Sequence, residues 1–327
     1  MTIFYIAALL LALFSTSLIL RFLIPFLKSR KMGQKILDIG PRWHKSKEGT
    51  PTMGGLSFLA VFAVLIPLFL AIANACFSLD RLPLAVITLL FALLNGGIGI
   101  LDDRTKFAKN KNEGLLSWQK YLLQLGIAVL YLLAMNHFGY LSTDLSLPFL
   151  SFTLPLGILY YPFALLLITG VVNSVNLTDG IDGLAASETT LVSAFFLAVG
   201  VTVGSLSLSL FASVAVGCCL GFLVYNFYPA RVFMGDTGSL FLGALVVGMA
   251  FMAESPLLII VVGFMYIVET VSVILQVGYF KLTHGKRLFK MSPIHHHFEK
   301  CGWSEIRIVT VFSLITLLLA LLTYFFA

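Results

Sequence analysis

Charged residues are scarce in this sequence, and no polar stretch is long. Only 11% of its 327 residues are charged, whereas 59% are hydrophobic and the mean hydropathy is +1.00. Soluble domains contain about 25% charged and about 45–50% apolar residues. The composition therefore excludes a water-soluble fold. Because no polar segment is large enough to form a second core, we expect a single membrane domain over residues 1–327.

Cysteine is scarce as well. Cys218 and Cys219 lie inside an apolar run, and Cys76 and Cys301 lie far apart at segment ends. These positions predict neither a disulfide framework nor a CxxC metal site. The net charge of +6 comes from Lys and Arg, which in membrane proteins record orientation and contact with anionic lipid. No basic groove with interleaved aromatic residues indicates nucleic-acid binding.

Long apolar runs recur along the whole chain. A helix needs about 20 apolar residues to cross ~30 Å of hydrocarbon, and this predicts an all-α, polytopic bundle of about ten transmembrane helices. The first run lacks a basic n-region and a cleavage site, so we expect a retained span rather than a signal peptide. The predicted spans are 3–27, 55–74, 82–101, 118–136, 156–175, 184–204, 207–228, 239–254, 256–280 and 306–327.

Basic residues predict the orientation of these spans. Clusters follow the first, third and ninth spans: Lys28, Arg30, Lys31, Lys35, Arg42, Lys45 and Lys47; Arg104, Lys106, Lys109 and Lys111; Lys281, Lys286, Arg287, Lys290 and Lys300. These loops should be cytoplasmic. The loop at 137–155 has no Lys or Arg and should lie outside. An even number of spans then places both termini on the extracytoplasmic side.

Carboxylates gather at the cytoplasmic ends of the predicted spans. They are Asp102, Asp103, Asp179, Asp182 and Asp236, whereas the outer loops hold only the scattered Asp80, Asp144 and Glu254. Ionised groups near hydrocarbon are costly and usually have a partner or a function. Adjacent carboxylates on a helix point ~100° apart, so one of a pair can meet a metal while its neighbour meets a reacting group. A charged helix end at the membrane interface is the simpler alternative.

Two polar segments extend this pattern. The segment Asn173–Gly183 combines amides and acids with two glycines, which allow the backbone to approach a ligand closely; a plain polar turn is the alternative. The segment Phe233–Ser239 leads into an apolar helix, where free N–H groups and the positive end of the helix dipole favour phosphate. Asp236 or Thr237 is equally suited to capping this helix.

Three successive histidines, His295, His296 and His297, follow the ninth span. They cannot share one helical face, and without Cys or a spaced His they are a poor zinc site. Hydrogen bonding to an anionic substrate fits their basic surroundings better. The carboxylates together with Lys106 and Lys120 predict a site for Mg²⁺ and a polyanion, and hence metal-assisted phosphoryl transfer.

The motifs together resemble, nearly end to end, the polyprenyl-phosphate N-acetylhexosamine-1-phosphate transferases, and within them the branch that uses a muramoyl-pentapeptide. The resemblance rests on Gly49–Gly55, Asp102-Asp103 with Lys106, Asn173–Gly183, Phe233–Ser239 and His295–His297. It implies transfer of the phospho-sugar from UDP-MurNAc-pentapeptide to undecaprenyl phosphate, giving lipid I and UMP with Mg²⁺ in peptidoglycan biosynthesis. It also implies a homodimer in the bacterial inner membrane with a cytoplasmic active site.

The resemblance implies a role for each matching residue. Asp236 is expected to be the main metal ligand, with Asn173 nearby. Asp102 is expected to activate the lipid phosphate, and Asp103 to position Asp102. The other expected substrate contacts are the uridine pocket of Asp179, Asn226 and Phe233, the nucleotide-sugar contacts Lys47, His295, His296 and His297, and Lys106, Lys120 and Asn176. Arg104 occupies an open position of the Asp-Asp motif and puts no role in doubt.

Alternatives remain open at this stage. The phosphoryl transfer takes one in-line step, or two steps through a covalent intermediate on Asp102 or Asp103. A sister enzyme that uses UDP-N-acetylglucosamine would share the aspartates. A transporter would need ionisable residues at the midplane or broken helices in related halves, and the sequence shows neither a clear repeat nor charges aligned along a path. Glu269 and Gln276 lie within the ninth span, and we expect Glu269 to be paired inside the bundle.

Overall fold

The computed structural model describes residues 1–30, 32–33, 47–77, 81–108, 114–150 and 152–326. Within these ranges, ten helices are long and apolar enough to cross a membrane, which confirms the expected number of spans. They are α1 (Thr2–Ser29), α2 (Leu56–Phe77), α3 (Leu82–Ala108), α4 (Ser117–His137), α5 (Tyr160–Thr178), α6 (Leu184–Thr202), α7 (Leu206–Asn226), α8 (Gly235–Met252), α10 (Phe264–Leu282) and α12 (Glu305–Phe326). The remaining elements of the described residues are the short helices α9 (Leu258–Val262) and α11 (Ile294–Lys300), a 3-10 turn at Gly157–Leu159, and the antiparallel pair of strands β1 (Asp144–Ser146) and β2 (Thr153–Pro155).

Helices α7 and α8 form the centre of the bundle and are buried along nearly their whole length. α1 and α6 pack on α7, while α3 and α5 pack on α8. Small residues make these contacts close, as is usual in membranes, where van der Waals packing drives helix association. Gly217 and Gly221 face the carbonyl groups of Leu9 and Leu13, and Gly243 faces the backbone of Val172. The outer face of α1 is apolar and exposed, as a lipid-facing surface requires.

Two helix ends differ from the prediction in a way that matters for the site. The third span was expected to end at residue 101, but α3 continues to Ala108 and carries Asp102, Asp103 and Lys106 on its last turns. The eighth span was expected to begin at residue 239, but α8 begins at Gly235 and places Asp236 in its first turn. Hydropathy underestimates the length of both helices, because their polar ends are excluded from an apolar run although they pair with each other in the folded protein.

Three further differences are local. The span predicted at 256–280 is divided at Gly263 into α9 and α10. The histidines expected in a loop form the short helix α11. The loop at 137–155 contains the hairpin of β1 and β2, which was not predicted because the sequence there has no strand-like alternation. Seven residues used in the topology prediction lie outside the described ranges: Lys31, Lys35, Arg42, Lys45, Asp80, Lys109 and Lys111. The orientation of the termini stays a prediction.

Candidate active site

Asp103 joins the end of α3 to the beginning of α8. Its Oδ2 accepts hydrogen bonds from Thr237 N at 2.9 Å and Thr237 Oγ1 at 2.7 Å, and its Oδ1 accepts one from Asp236 N at 3.3 Å. A carboxylate there satisfies N–H groups that the helix leaves free and lies at the positive end of its dipole. The sequence predicted phosphate at these N–H groups, but at residues 236 and 237 Asp103 occupies them.

Asp236 is the centre of a charged cluster. Its Oδ2 accepts hydrogen bonds from Lys106 Nζ and Lys120 Nζ, each at 2.9 Å, and its Oδ1 accepts one from Asn176 Nδ2 at 2.9 Å. Lys106 Nζ also lies 2.7 Å from Asp102 Oδ2. The side chains come from α3, α4, α5 and α8. The predicted convergence of distant polar segments at one end of the bundle is therefore present.

Carboxylate oxygens of Asp102, Asp103 and Asp236 lie within 4.8 Å of one another. Such a group of hard oxygen donors fits a magnesium ion, which binds through carboxylates and substrate phosphates. Asn173 is directed elsewhere: its Nδ2 donates to Gln124 Oε1 at 2.7 Å and to Thr169 O at 2.8 Å. The expected role of Asn173 beside the metal stays a prediction, and Asn176 is the amide that contacts Asp236.

Asp102 is enclosed beside this group. The residue is 3% exposed, and its Oδ1 accepts a hydrogen bond from Leu115 N at 2.8 Å. Gly114 leaves room for this contact, because a Cβ there would lie 2.5 Å from Asp102 Oδ1. The start of α4 therefore fixes the carboxyl group that was expected to act on the lipid phosphate.

Asn226 and Phe233 connect the segments of the expected uridine pocket. Asn226 Oδ1 accepts a hydrogen bond from Gly183 N at 3.1 Å, and its Nδ2 donates to Val232 O at 2.9 Å. Phe233 exchanges backbone hydrogen bonds with Pro51, through its N–H at 2.8 Å, and with Gly54, through its carbonyl at 2.9 Å. The structure brings these segments together, and direct contact of either side chain with uridine stays a prediction.

Lys47 lies between two carboxylates. Its Nζ is 2.7 Å from Asp182 Oδ1 and 2.6 Å from Glu305 Oε1. Asp182 also accepts a hydrogen bond from Ala230 N at 2.8 Å, and Glu305 accepts one from Asp182 N at 2.9 Å. The sequence singled out Asp182 without a role, and Glu305 was not predicted, because its only signal is an acid at the start of a transmembrane span. Lys47 thus links Asp182 to the start of α12, and its contact with the nucleotide-sugar stays a prediction.

Replacing Lys47 with alanine should destabilise the protein by about 3 kcal/mol, because it leaves two buried carboxylates without their cation. Thermal unfolding in detergent measures the effect. Lys28→Ala is the matched control, since Lys28 is exposed and forms no ion pair with the part of the chain that the structure describes. Equal melting temperatures for the two variants would contradict the structural role of Lys47.

Asp179 lies just beyond α5 and faces the other acids. Part of its surface is accessible, but close packing removes water from its carboxyl group. Burial, followed by the negative charges of Asp236, Asp103 and Asp182, raises the pKa of Asp179 to about 8. The folded protein therefore retains a proton on Asp179 that the unfolded chain loses near the ordinary pKa of about 3.9.

This raised pKa predicts how stability depends on pH. Between about pH 4 and pH 8 the folded state binds more protons at Asp179 than the unfolded state, so this residue lowers stability as pH rises, and its contribution levels off above about pH 8. Asp179→Asn removes this pH-dependent contribution to stability, because asparagine does not titrate. The melting temperature of Asp179→Asn relative to the unmodified protein should rise steadily across this range. A difference that is independent of pH would show that Asp179 has an ordinary pKa.

The three histidines have different surroundings on α11. His295 is fully buried beside Glu269, with 3.0 Å between Nδ1 and Oε2, so the expected pairing of Glu269 is confirmed. His296 Nδ1 lies 2.6 Å from Glu299 Oε2, and His297 Nδ1 accepts a hydrogen bond from Lys290 N at 3.1 Å. The rings of His296 and His297 are partly exposed. Their contact with an anionic substrate stays a prediction.

Comparison with known proteins agrees with this arrangement. The profile described as Glycosyl transferase family 4 matches residues 84–254, and signature 1 of phospho-N-acetylmuramoyl-pentapeptide-transferase matches residues 47–59. The proteins of that name from Clostridium perfringens (strain 13 / Type A) and Clostridium acetobutylicum are each 44% identical to this chain, over 92% of both chains. The one from Halalkalibacterium halodurans is 42% identical over 92% of this chain and 91% of its own. The chain therefore belongs to the phospho-N-acetylmuramoyl-pentapeptide-transferase family.

Proposed function

We propose that this protein transfers phospho-N-acetylmuramoyl-pentapeptide from UDP-MurNAc-pentapeptide to undecaprenyl phosphate, forming lipid I and UMP in peptidoglycan biosynthesis. The observation that carries this proposal is the cluster of Asp102, Asp103 and Asp236 with Lys106 and Lys120 at the ends of transmembrane helices, in a chain of this family. Three carboxylates and two ammonium groups suit a site that holds both a cation and a diphosphate.

The location of the site at one end of the bundle suits one soluble and one lipid substrate. The phosphate of a polyprenyl lipid lies at the headgroup level, where the last turns of α3 and the first turn of α8 meet. We place this end on the cytoplasmic side of the bacterial inner membrane, because Arg104 lies on the last turns of α3 beside the cluster and basic residues favour that side. A homodimer is proposed from the family resemblance alone, and light scattering in detergent tests it.

The proposed cofactor is Mg²⁺, held by Asp236 with help from Asp102 or Asp103. When bound, it neutralises charge on the diphosphate and on the leaving UMP. Lys106 and Lys120 would contact the same phosphates, since both ammonium groups already face Asp236. Asn176 Nδ2 donates to the other carboxylate oxygen of Asp236, Oδ1. The chain thus supplies fixed positive charge where negative charge increases during transfer.

We propose a single in-line step. An oxygen of the lipid phosphate attacks the β-phosphorus, and the bond to the α-phosphate breaks as UMP leaves. The second pKa of a phosphate monoester is near ~6, so the nucleophile is mostly dianionic at neutral pH and needs positioning more than a strong base. Both oxygens of Asp103 accept hydrogen bonds from α8, which supports a positioning role for Asp103 rather than covalent attack.

The function is tested by measuring UMP release in reconstituted membranes. We expect release from UDP-MurNAc-pentapeptide only when undecaprenyl phosphate and Mg²⁺ are both present, and loss of release when EDTA removes the metal. Equal release from UDP-N-acetylglucosamine would favour the sister enzyme. Exchange of labelled UMP without the lipid acceptor, or a phospho-sugar adduct on Asp102, would overturn the single-step mechanism. Uptake into liposomes without UMP release would indicate transport.

A further inference from the structure

Glu269 on α10 and His295 on α11 meet in the interior of the bundle. Both side chains are 0% exposed, and Glu269 Oε2 lies 3.0 Å from His295 Nδ1. The contact is a close approach rather than an aligned hydrogen bond, and among the described residues neither the carboxylate nor the imidazole has a hydrogen-bonding partner. Because burial disfavours an isolated charge, each group depends on the other. Because Nδ1 is the ring atom nearest Glu269, the Nε2 edge of the imidazole points away from that carboxylate.

The Nε2 edge of His295 lies against Gly180. A Cβ on residue 180 would sit 2.2 Å from His295 Nε2 and 2.5 Å from its Cε1, so the ring fills the space that a side chain would need. Gly180 N donates to Thr178 O at 2.9 Å in a tight turn after α5. Ile294, next to the histidine, belongs to the same apolar cluster as Ile181. Helix α11 therefore packs against this turn through His295 and Ile294.

The turn carries Asp179, and its carboxyl group differs from that of Asp182 in its hydrogen bonds. Asp182 is held by Lys47 and Ala230, whereas the carboxyl group of Asp179 accepts no hydrogen bond from any residue that the structure describes. The direction of Asp179 is consequently set by the backbone that follows it. That backbone is the glycine on which His295 rests.

We propose that Glu269 and His295 are positioning residues for nucleotide binding. Glu269 holds the imidazole, the imidazole supports Gly180, and Gly180 sets the direction in which Asp179 meets the uridine part of the substrate. This inference rests on the proposed function, in which Asp179 lines the uridine pocket. It replaces direct substrate contact by His295, because a fully enclosed ring has no surface to offer a ligand.

UMP is the probe that tests the proposal, since it contains the uridine and lacks the sugar and peptide. We expect His295→Ala and Glu269→Ala to weaken UMP binding to the full-length protein about 10- to 100-fold, a common effect of removing groups that orient binding residues. Glu269→Gln should weaken it less but still measurably, because the amide keeps the size of the side chain and loses the charge beside Nδ1. Glu188→Gln is the matched control: Glu188 is also buried, and it bonds Thr316 on α12.

A double variant tests the contact itself. Gly180→Ala alone should weaken UMP binding, because its methyl group collides with the imidazole. In Gly180→Ala combined with His295→Ala the methyl group has room, so the two effects should not add. Calorimetry on protein that remains monodisperse in gel filtration measures all of these affinities. If the alanine variants do not fold, the affinity of Glu269→Gln for UMP is the test.

Three results would overturn the proposal. Unchanged UMP binding by folded Glu269→Gln and His295→Ala would remove the positioning role while leaving the proposed function intact. Additive effects in the double variant would show that His295 does not act through Gly180. Weakened binding of UDP-MurNAc-pentapeptide with unchanged UMP binding would assign His295 to direct substrate contact. Failure of the unmodified protein to bind UMP would instead overturn the proposed function and this inference together.

Discussion

Replacing Asp236 with asparagine is expected to lower the rate of UMP release at least about 1,000-fold, the upper range for losing one preorganised electrostatic group. Asp236 is the residue on which Lys106, Lys120 and Asn176 converge. Asparagine keeps the shape and one acceptor oxygen but removes the charge. The two lysines would then lose their common anion, and the proposed Mg²⁺ its main ligand, while the helices stay in place.

The assay follows UMP release from UDP-MurNAc-pentapeptide with undecaprenyl phosphate and Mg²⁺. Asp144→Asn is the control, because Asp144 is an exposed carboxylate on β1 and the same chemical change there should leave the rate unaltered. A melting temperature near that of the unmodified protein would show that Asp236→Asn is folded. If the folded variant kept more than about one tenth of the original rate, Asp236 would not be the centre of the proposed site.

The ten spans were predictable because hydropathy is a local property of the sequence. A run of about 20 apolar residues predicts a membrane helix whatever it packs against. The break at Gly263 was not predictable in this way, since α9 and α10 are both apolar. The hairpin of β1 and β2 was missed for a related reason: each strand has three residues, too few for a clear alternation.

The acids of the site and the two lysines near them were predictable, but the individual contacts among them were not. Asp102, Asp103 and Asp236 stand out because ionised residues near hydrocarbon need a reason. Which of them pairs with which depends on helices that meet only in the folded protein. Asp103 caps α8 although 134 residues separate it from Thr237, and no sequence pattern distinguishes that carboxylate from its neighbour. The choice between Asn173 and Asn176 as the partner of Asp236 was undetermined for the same reason.

Gly99 determines how closely α3 approaches the first turn of α8. A Cβ on Gly99 would lie 2.2 Å from Asp236 O and 2.5 Å from Thr237 Cα. Because these are backbone atoms, they cannot move aside as the end of a flexible side chain can. Alanine at this position would force α3 away from α8, and Asp103 could no longer reach the N–H groups of Asp236 and Thr237.

Gly99→Ala should therefore lower the rate of UMP release about 100-fold, as expected when catalytic groups shift by about 1 Å, and also lower the melting temperature. Gly97→Ala provides a control on the same helix, since a Cβ there has no atom within 4 Å. Alanine also favours a helix over glycine by about 1 kcal/mol, so Gly97→Ala should keep full activity. If both variants behave alike, close contact between α3 and α8 is not what aligns Asp103 with Asp236. That result would contradict the proposed arrangement of the site.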